Sequence, residues 1–482
     1  MENIEKKVFD YFQEMSQIPH GSGNTDEIRN YIVKFAEDHG LWYRTDQANN
    51  IIIKKPAARG YEDAEPVILQ GHIDMVCEKT AASDKDMAKE GLDIKTDGDW
   101  MYAEGTTLGA DDGIAVAMAL AVLDSEELGH PALECIFTSD EEIGMVGARQ
   151  LDLSDVTARK MINIDSEEEG IFTVSCAGGT NAVVNLPIEY CESLGTVLDI
   201  TVDGLTGGHS GIMIVKERAN SNELMGRLLS EISKEHEISL VSINGGKVGN
   251  VICKKTEAKV FVSSDEAAQI KEEIAAFEEV LKHEFTATDP ELKITAAEAA
   301  GMGNKISVMT EESFDRIVTW LMTAPNGIQN MSAVAAGEVE TSLNLGAVST
   351  EESEVKFTYA VRSSSASRKE MLMDKLWYLS GILSGSVSFD GDYPGWEYLK
   401  DSALRETAVK VFTEQYGHEP EILGIHAGLE CGLIAEKIGE GFDAISIGPD
   451  LVDVHTPDEK MSIESAKRTF RLVCGILEAC RS

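Results

Sequence analysis

The sequence predicts an α/β fold, a mixed and mostly parallel sheet with helices on both faces, into which a second, α+β domain is inserted. In the first and last parts of the chain, short apolar runs of strand length alternate with helical segments. The middle part has partly alternating runs, typical of strands with one exposed face, between further helical segments. We therefore expect residues 1–186 and 389–482 to form one domain and residues 187–388 to form the inserted domain.

The elements of the first domain can be placed in order. Two amphipathic helices are expected between residues 4 and 40, separated by a turn at residues 19–23. Strands are predicted at residues 50–54, 131–137, 160–164 and 443–447, a short strand with the loop that follows it at residues 66–76, and an Ala-rich apolar helix at about residues 113–123. In the inserted domain we predict strands at residues 196–202, 258–263 and 354–361, and helices at residues 221–234, 265–282, 311–322 and 368–383. No internal sequence repeat is evident.

Composition narrows the class of protein. A chain of 482 residues exceeds what one hydrophobic core usually serves, which fits two domains. With 42 basic and 84 acidic residues the net charge is −42, a field that repels phosphate backbones and anionic membranes. The N-terminus has no signal-peptide core, and the longest apolar run is too short to span a bilayer. The eight cysteines are scattered without a CxxC motif. We expect a cytoplasmic protein with reduced thiols and with neither nucleic acid nor membrane as partner.

The stretch PVILQGHIDMV at residues 66–76 combines a predicted buried strand with two side chains typical of metal sites. Since alternate residues of a strand share one face, His72 and Asp74 both point beyond the strand end. A neutral imidazole is a common metal ligand, and a nearby carboxylate can hold its other ring N–H. Alone, such a pair is usually an ordinary polar contact.

Other predicted elements also end or begin at metal-ligand residue types. The strand at residues 131–137 leads into Glu141 and Glu142, the strand at residues 160–164 is followed by Asp165, and the last strand precedes His455. Asp111 and Asp112 begin the Ala-rich helix, where an N-cap would explain one of them but not both. Because parallel strands present their carboxyl ends at one edge of a sheet, we predict a metal site there.

This set of side chains favours a pair of metal ions. Two imidazoles and several carboxylates, without thiolates, suit zinc, manganese or cobalt. Five ligands are too many for one catalytic ion that keeps an open position, but they suit two ions about 3.5 to 4 Å apart that share a carboxylate. The adjacent carboxylates of Glu141 and Glu142 could divide two roles, one binding metal and one acting as a general base.

Seven motifs in order resemble the M20 family of dinuclear metallopeptidases, and most closely its PepD branch, the cytosolic aminoacyl-histidine (Xaa-His) dipeptidases. The motifs are GHIDMV, LGADDG, TSDEEIG, INIDSEEEG, GGHSG, HAGLECG and IGPDLVDVHTPDE. The resemblance implies a zinc-peptidase-like catalytic domain with an inserted lid. It also implies hydrolysis of unblocked L-dipeptides, Xaa-His or broader, by a hydroxide that bridges two divalent ions, most directly zinc, with manganese or cobalt as alternatives.

The same resemblance implies roles for the residues of the first domain. His72, Asp111 and Asp165 would hold one ion, and Asp111, Glu142 and His455 would hold the other, with Asp111 as the bridge. Glu141 would act as general base, and Asp74 would orient His72. Relatives often have Asp-Asn where this chain has Asp111 and Asp112, so the order of the two residues identifies the bridge.

The resemblance also implies four residues that contact the substrate, three of them in the inserted domain and His426 in the second part of the first domain. His209 in GGHSG would stabilise the oxyanion, although without the family it would be interpreted as a turn histidine. Asn250 would contact the substrate, and Arg362 would bind its terminal carboxylate, since a guanidinium fork matches a carboxylate. Relatives often have Asp-x-Arg where this chain has Ala-Val-Arg, and Arg368 lies near. Glycines beside His426 would let backbone N–H groups approach the substrate.

Two other interpretations stay open. One is another M20-type hydrolase: a tripeptidase, a carboxypeptidase or an N-acyl amino acid deacylase. The second is a non-catalytic metal-binding or peptide-binding protein. The presence of Glu141, the expected general base, beside a complete ligand set argues against it. The sequence leaves open the preferred dipeptide, the native metal and whether the chain forms a homodimer. It also leaves open whether His209 serves its own active site or that of a neighbouring chain.

Overall fold

A computed structural model describes residues 2–299, 305–333, 335 and 337–481. The chain divides into two compact units. The first unit comprises Met1–Ser175, Trp396–Gly424 and Leu429–Ser482, and the second comprises Cys176–Gly395 and Ile425–Gly428. The junctions between these units lie at residues 175/176 and 395/396, whereas the sequence predicts 186/187 and 388/389, because the strand Gly178–Pro187 and the end of the strand Ser386–Tyr393 pair within the second unit. His426 belongs to the second unit.

The helices of the described residues are α1 Glu2–Met15, α2 Asp26–Asp38, α3 Ala110–Leu123, α4 Val146–Gln150, α5 Ser221–Ile232, α6 Ala267–Glu284, α7 Glu311–Thr323, α8 Ala366–Ile382, α9 Ala403–Tyr416, α10 Glu430–Ile438 and α11 Ile463–Ala479. A short 3₁₀ helix spans Ile214–Lys216. No helix of this described part is both long enough and apolar enough to cross a membrane.

The first strands in chain order are β1 Trp42–Thr45, β2 Ile51–Lys55, β3 Val67–His72, β4 Ile94–Asp97, β5 Trp100–Ala103, β6 Leu133–Thr138, β7 Lys160–Asn163 and β8 Ile171–Cys176. Next come β9 Gly178–Pro187, β10 Tyr190–Ser193, β11 Thr196–Asp203, β12 Gly208–His209, β13 Ser239–Gly246, β14 Val251–Ile252, β15 Thr256–Val262, β16 Lys293–Glu298, β17 Ile306–Met309 and β18 Gly327–Met331. The last are β19 Val339–Thr350, β20 Glu354–Ser363, β21 Ser386–Tyr393, β22 Glu421–Ile425, β23 Asp443–Ser446, β24 Leu451–Val452 and β25 Lys460–Ser462.

The main sheet of the first unit has the strand order β1-β2-β6-β3-β7-β23-β8-β22. Its four central strands, β6, β3, β7 and β23, are parallel to one another. Antiparallel pairs flank this centre, with β1 and β2 on one side and β8 on the other. The predicted α/β class with a mixed sheet is confirmed, and the parallel strands lie in the middle because apolar βαβ segments bury both faces of a sheet there.

The register of the central strands brings their carboxyl ends together. His72, the last residue of β3, is level with Thr138 at the end of β6. Asn163 at the end of β7 is level with Ser446 at the end of β23. The loops that follow these strands therefore all leave from one edge of the sheet, as predicted.

Helix α3 is the apolar centre of the first unit. Nearly all of its side chains are buried, which fits a helix that is hydrophobic on every side. The segment is interrupted near its start, because the backbone angles of Asp111 (φ −81°, ψ 105°) and Asp112 (φ −116°, ψ 29°) are not helical, so regular helix begins at about Gly113, as predicted. Before this break, the carboxylate of Glu459 accepts hydrogen bonds from the backbone N–H groups of Leu108, Gly109 and Ala110 at 2.8, 3.1 and 2.9 Å.

The large sheet of the second unit contains the same strand arrangement twice. Its order is β16-β11-β15-β13-β19-β20-β9-β21, with β18 attached to β19. One half is formed by β11, β13, β15 and β16. The strand that comes fourth in the chain, β16, lies at the edge, and the first, third and second strands follow it across the sheet. The half formed by β9, β19, β20 and β21 has the same order, and the second strands of the two halves, β13 and β19, pair antiparallel. Helices α5 and α6 belong to one half, and α7 and α8 to the other.

Candidate active site

Ligand-type side chains from the end of β3 and from four loops converge at the carboxyl edge of the first unit's sheet. The Nε2 atom of His72 lies 3.1 Å from Asp111 Oδ1 and 3.6 Å from Asp165 Oδ1. The Nε2 atom of His455 lies 3.0 Å from Asp111 Oδ2 and 2.9 Å from Glu142 Oε1. All five predicted ligand residues are thus brought together, although His72 and His455 are far apart in sequence.

Asp111 has a special place in this cluster. One of its carboxylate oxygens faces His72 and the other faces His455. This is the arrangement expected of a carboxylate shared between two ions. Asp111, Glu142 and His455 offer ligand atoms within 4.8 Å of one another.

Asp112 is the alternative bridge, and its surroundings differ. Its Oδ2 atom accepts a hydrogen bond from the backbone N–H of His72 at 3.1 Å, and its side chain is buried. It lies so close to Gly71 that a Cβ atom there would be 2.5 Å from Oδ2. With His72 and Asp165 it forms another group within ligand distance, but His455 is not in that group.

Asp74 organises both His72 and the turn that carries the paired glutamates. Its Oδ1 atom accepts a hydrogen bond from the Glu141 backbone N–H at 3.0 Å, and its Oδ2 atom accepts one from the Ser22 hydroxyl at 2.8 Å. The Nδ1–H of His72 donates to the Asp74 carbonyl oxygen at 3.0 Å, while the Asp74 carboxylate lies 3.4 Å away. The main chain at Asp74 therefore holds the ring more closely than the carboxylate does, which leaves Nε2 facing the cluster.

The electrostatics of the cluster indicate a shortage of positive charge. Burial raises the pKa of Glu141 and of Asp165 above their ordinary values, and neighbouring carboxylates add to both shifts. Burial opposes the charged form of His72, yet the Asp111, Asp165 and Asp74 carboxylates raise its pKa well above the usual range. Hydrogen bonds to Asp111 and Glu142 raise the pKa of His455 to about 11. Divalent cations would supply the missing charge, so this donor set fits them.

Sequence reasoning missed a buried carboxylate beneath the cluster. Glu430, at the start of α10, is fully buried, and its Oε2 atom accepts hydrogen bonds from Gln70 Nε2 at 2.6 Å and Thr138 Oγ1 at 2.5 Å. Burial raises its pKa to about 7. Its position in the HAGLECG motif was the signal available in the sequence. Its partners come from β3 and β6, which no local pattern reveals.

The four predicted substrate-contacting residues all lie in the second unit. His426 Nε2 is 2.7 Å from the Ser342 hydroxyl, and burial together with the Arg362 charge lowers the pKa of His426 to about 3. His209 Nδ1 accepts hydrogen bonds from the backbone N–H groups of Gly211 and Ile212, which places the ring proton on Nε2. Burial lowers the pKa of His209 as well. Both imidazoles are therefore neutral near pH 7.

Asn250 and Arg362 line the same cleft of about 510 Å³ in the second unit. The carbonyl oxygen of Asn250 accepts a hydrogen bond from Ser210, the residue after His209. The positive charge of Arg362 adds to the effect of burial in lowering the pKa of both His209 and His426. Arg368, the alternative considered near Arg362, instead donates to Glu340.

Comparison with known proteins agrees with this arrangement. A family model described as peptidase family M20/M25/M40 matches residues 68–479. The chain is 36% identical over 473 residues to the cytosol non-specific dipeptidase of Escherichia coli K12, covering 98% of this chain and 97% of that protein. The crystal structure of aminoacylhistidine dipeptidase from Vibrio alginolyticus is similar with a TM-score of 0.93 and 35% identity, covering 98% of this chain and 96% of the other.

A more distant structure shares the fold alone. Aminopeptidase PepT from Bacillus cereus matches with a TM-score of 0.56 and 16% identity over 99% of each chain. The family model spans the four loops that form the cluster, and the two similar proteins cover nearly the whole chain. The chain therefore belongs to peptidase family M20/M25/M40 and is a hydrolase of peptide bonds.

Proposed function

We propose that this peptidase is a dinuclear-metal dipeptidase that cleaves the single amide bond of unblocked L-dipeptides, of Xaa-His type or broader. The observation that carries the proposal is Asp111, whose two oxygens face histidines from opposite parts of the chain. The names of the Escherichia coli and Vibrio alginolyticus relatives support a dipeptide substrate, and the word "cytosol" in the first supports a cytoplasmic location.

His72, Asp111 and Asp165 would hold one ion, and Asp111, Glu142 and His455 would hold the other. The distances of 2.9 to 3.6 Å between facing ligand atoms support this assignment. The donor set suits zinc, with manganese or cobalt as alternatives. When bound, two such ions lower the pKa of water and polarise the scissile carbonyl.

Glu141 acts as the general base in this mechanism. It takes a proton from the attacking water and later gives that proton to the leaving amine. Its raised pKa, which results from burial, suits a group that must hold and then release a proton. Asp74 fixes the Glu141 main chain and the His72 ring, so it positions both groups.

The second unit acts as the lid that grips the substrate, and the first unit is catalytic. The Nε2–H of neutral His209 donates to the oxyanion, Arg362 binds the terminal carboxylate, and Asn250 and His426 contact the rest of the dipeptide. Losing one oxyanion donor typically costs about 3 to 4 kcal/mol of transition-state stabilisation.

The test compares three substrates: a dipeptide, its N-acetyl form and a tripeptide extended from it, each assayed after loading with zinc, manganese or cobalt. We expect turnover of the unblocked dipeptide alone. Preference for the N-acetyl form would indicate a deacylase or carboxypeptidase, and preference for the longer peptide would indicate a tripeptidase.

In the same assay Glu141→Gln should lose about 10²- to 10⁴-fold in kcat while keeping its metals. Glu168→Gln, an exposed position, is the matched control.

A further inference from the structure

The guanidinium of Arg362 is held on one side and unpaired on another. Arg362 is only 9% exposed. Its Nη1 atom donates a hydrogen bond to the Tyr393 hydroxyl at 2.9 Å. Its Nε atom is buried and has no hydrogen-bond partner among the described residues. Leaving a buried donor unpaired costs free energy, so a bound acceptor is expected at this side of the group.

Gly179 leaves the space in which the Tyr393 side chain reaches Arg362. On the three neighbouring strands, Gly179 of β9 lies level with Arg362 of β20 and with Tyr393 of β21. A Cβ atom at residue 179 would lie 2.5 Å from the Tyr393 hydroxyl oxygen and 2.7 Å from Cζ. Only a glycine leaves room for the tyrosine ring to cross β9 and reach the guanidinium.

We propose that Tyr393 is a positioning residue for Arg362, and that Gly179 provides the space it needs. With Nη1 occupied by the phenol, the Nε–Nη2 edge is the pair of parallel N–H groups left to bind a carboxylate side-on. Tyr393 thereby selects which edge of the guanidinium meets the terminal carboxylate of the dipeptide. This inference rests on the proposed dipeptidase function.

The surroundings of Arg362 favour an anion. Lys247 and Lys356 line the same cleft, and Asp390, which also lines it, accepts a hydrogen bond from Asn181. In a chain of net charge −42, a cleft with three cationic side chains stands out from the surface as a whole. The positive charge of this cleft would attract a carboxylate, and the guanidinium of Arg362 matches its geometry.

The test uses Tyr393→Phe, which removes the hydroxyl and keeps the ring. We expect the KM for a free dipeptide to rise about tenfold, the effect of one hydrogen bond to a charged group, with kcat nearly unchanged. For the same dipeptide with a C-terminal amide, which lacks the carboxylate charge, the substitution should have little effect. Tyr378→Phe, at an exposed tyrosine of α8, is the control and should match wild type on both substrates.

Two further variants separate positioning from a general loss of structure. Gly179→Ala should displace the Tyr393 ring and raise the KM of the free dipeptide in the same way. In an Arg362→Ala background, Tyr393→Phe should add nothing, because its effect acts through Arg362. Equal loss on the free dipeptide and its amide, or an unchanged KM, would overturn the inference while the dipeptidase function stands. A wild-type protein without activity on any dipeptide would overturn both.

Discussion

Asp111 faces two histidines of the candidate active site, His72 at 39 residues and His455 at 344 residues from it in the sequence. Its oxygens face His72 and His455, whereas Asp112 bonds to the main chain of His72 and packs against Gly71. Burial works to raise the pKa of Asp111, but hydrogen bonds from His455 and His72 and their positive charge lower it well below the ordinary value. The two adjacent aspartates are therefore chemically distinct.

The variants Asp111→Asn and Asp112→Asn should show which of the two aspartates is shared between two metal ions. Asparagine cannot bridge two cations with two negative oxygens, so we expect Asp111→Asn to bind about one metal ion per chain and to lose turnover. Metal content after dialysis, measured by elemental analysis, is the readout. Asp112→Asn is the matched variant and should keep two ions, since its oxygen serves a backbone N–H; if Asp112→Asn instead loses an ion, the bridge has been assigned to the wrong residue.

The clustering of the five proposed ligand residues could be predicted from sequence because each ends or follows a recognisable strand or lies at the start of an apolar helix. Glu430 and Glu459 could not be predicted in the same way. Glu459 binds the backbone N–H groups of residues 108–110, about 350 positions earlier, and Glu430 binds Gln70 and Thr138. Such contacts depend on which loops the folded sheet brings together, and a single sequence does not encode that as a local pattern.

Single elements were predicted with small errors at their ends. Strand β7 spans Lys160–Asn163 where residues 160–164 were predicted, and α7 spans Glu311–Thr323 where residues 311–322 were predicted. Helix α3 has a break at Asp111 and Asp112, so its regular part begins at about the predicted Gly113, while the turn before the break is held by Glu459 from a distant loop. The interior of an element follows from its own periodicity, whereas its ends depend on partners from elsewhere.

His236 ties the end of α5 to α6. Its Nδ1 atom lies 2.9 Å from Glu266 and its Nε2 atom 3.0 Å from Glu273, and its side chain is 4% exposed. Hydrogen bonds to these two carboxylates raise the pKa of His236 above its ordinary value. Protonated His236 therefore stabilises the fold fully below about pH 6.5, the unfolded pKa, and this contribution is lost as the pH rises through the folded pKa.

His236→Gln should remove this part of the pH dependence. We expect the urea midpoint of the variant to lie below that of wild type at about pH 6, with the difference shrinking as the pH rises above the folded pKa. His283→Gln, at an exposed histidine of α6, is the control and should show no such change. A constant difference between wild type and His236→Gln at all pH values would mean that the histidine contributes by packing and not by charge.

The duplicated strand order of the second unit was not visible in the sequence. To form, each half needs only apolar side chains at alternate positions of its strands, on the face that packs against its helices. Very different sequences satisfy that requirement. The first strand of one half, β9, also precedes the whole of the other half in the chain, so an aligned repeat is interrupted. His209 and Asn250 come from the half that contains β11, and Arg362 comes from the other half, yet they belong to one chain and one compact unit.

Removing metal should weaken the first unit selectively. Without cations, the partly buried carboxylates of Asp111, Glu142 and Asp165 repel one another, and the stabilisation that metal binding gives to the folded state is lost. We expect a chelator to speed amide hydrogen exchange in peptides that cover β6, β7 and the start of α3. Peptides from β11 and β15 of the second unit serve as an internal control and should change little. Uniform acceleration, or none, would contradict a metal site confined to the first unit.

The nested order of the second unit also has a consequence for synthesis. Strand β9 pairs with β20 and β21, but 167 positions separate Pro187 from Glu354 (354 − 187 = 167). At about 5 to 20 residues per second, the nascent chain carries β9 without either neighbour for roughly 10 to 30 s. Its apolar, unpaired edges are exposed during that interval while the β11 half is completed first. The ribosome-bound chain is thus most vulnerable to wrong strand pairing before Tyr393 emerges, and the half that carries Arg362 is the last part of this unit's sheet to close.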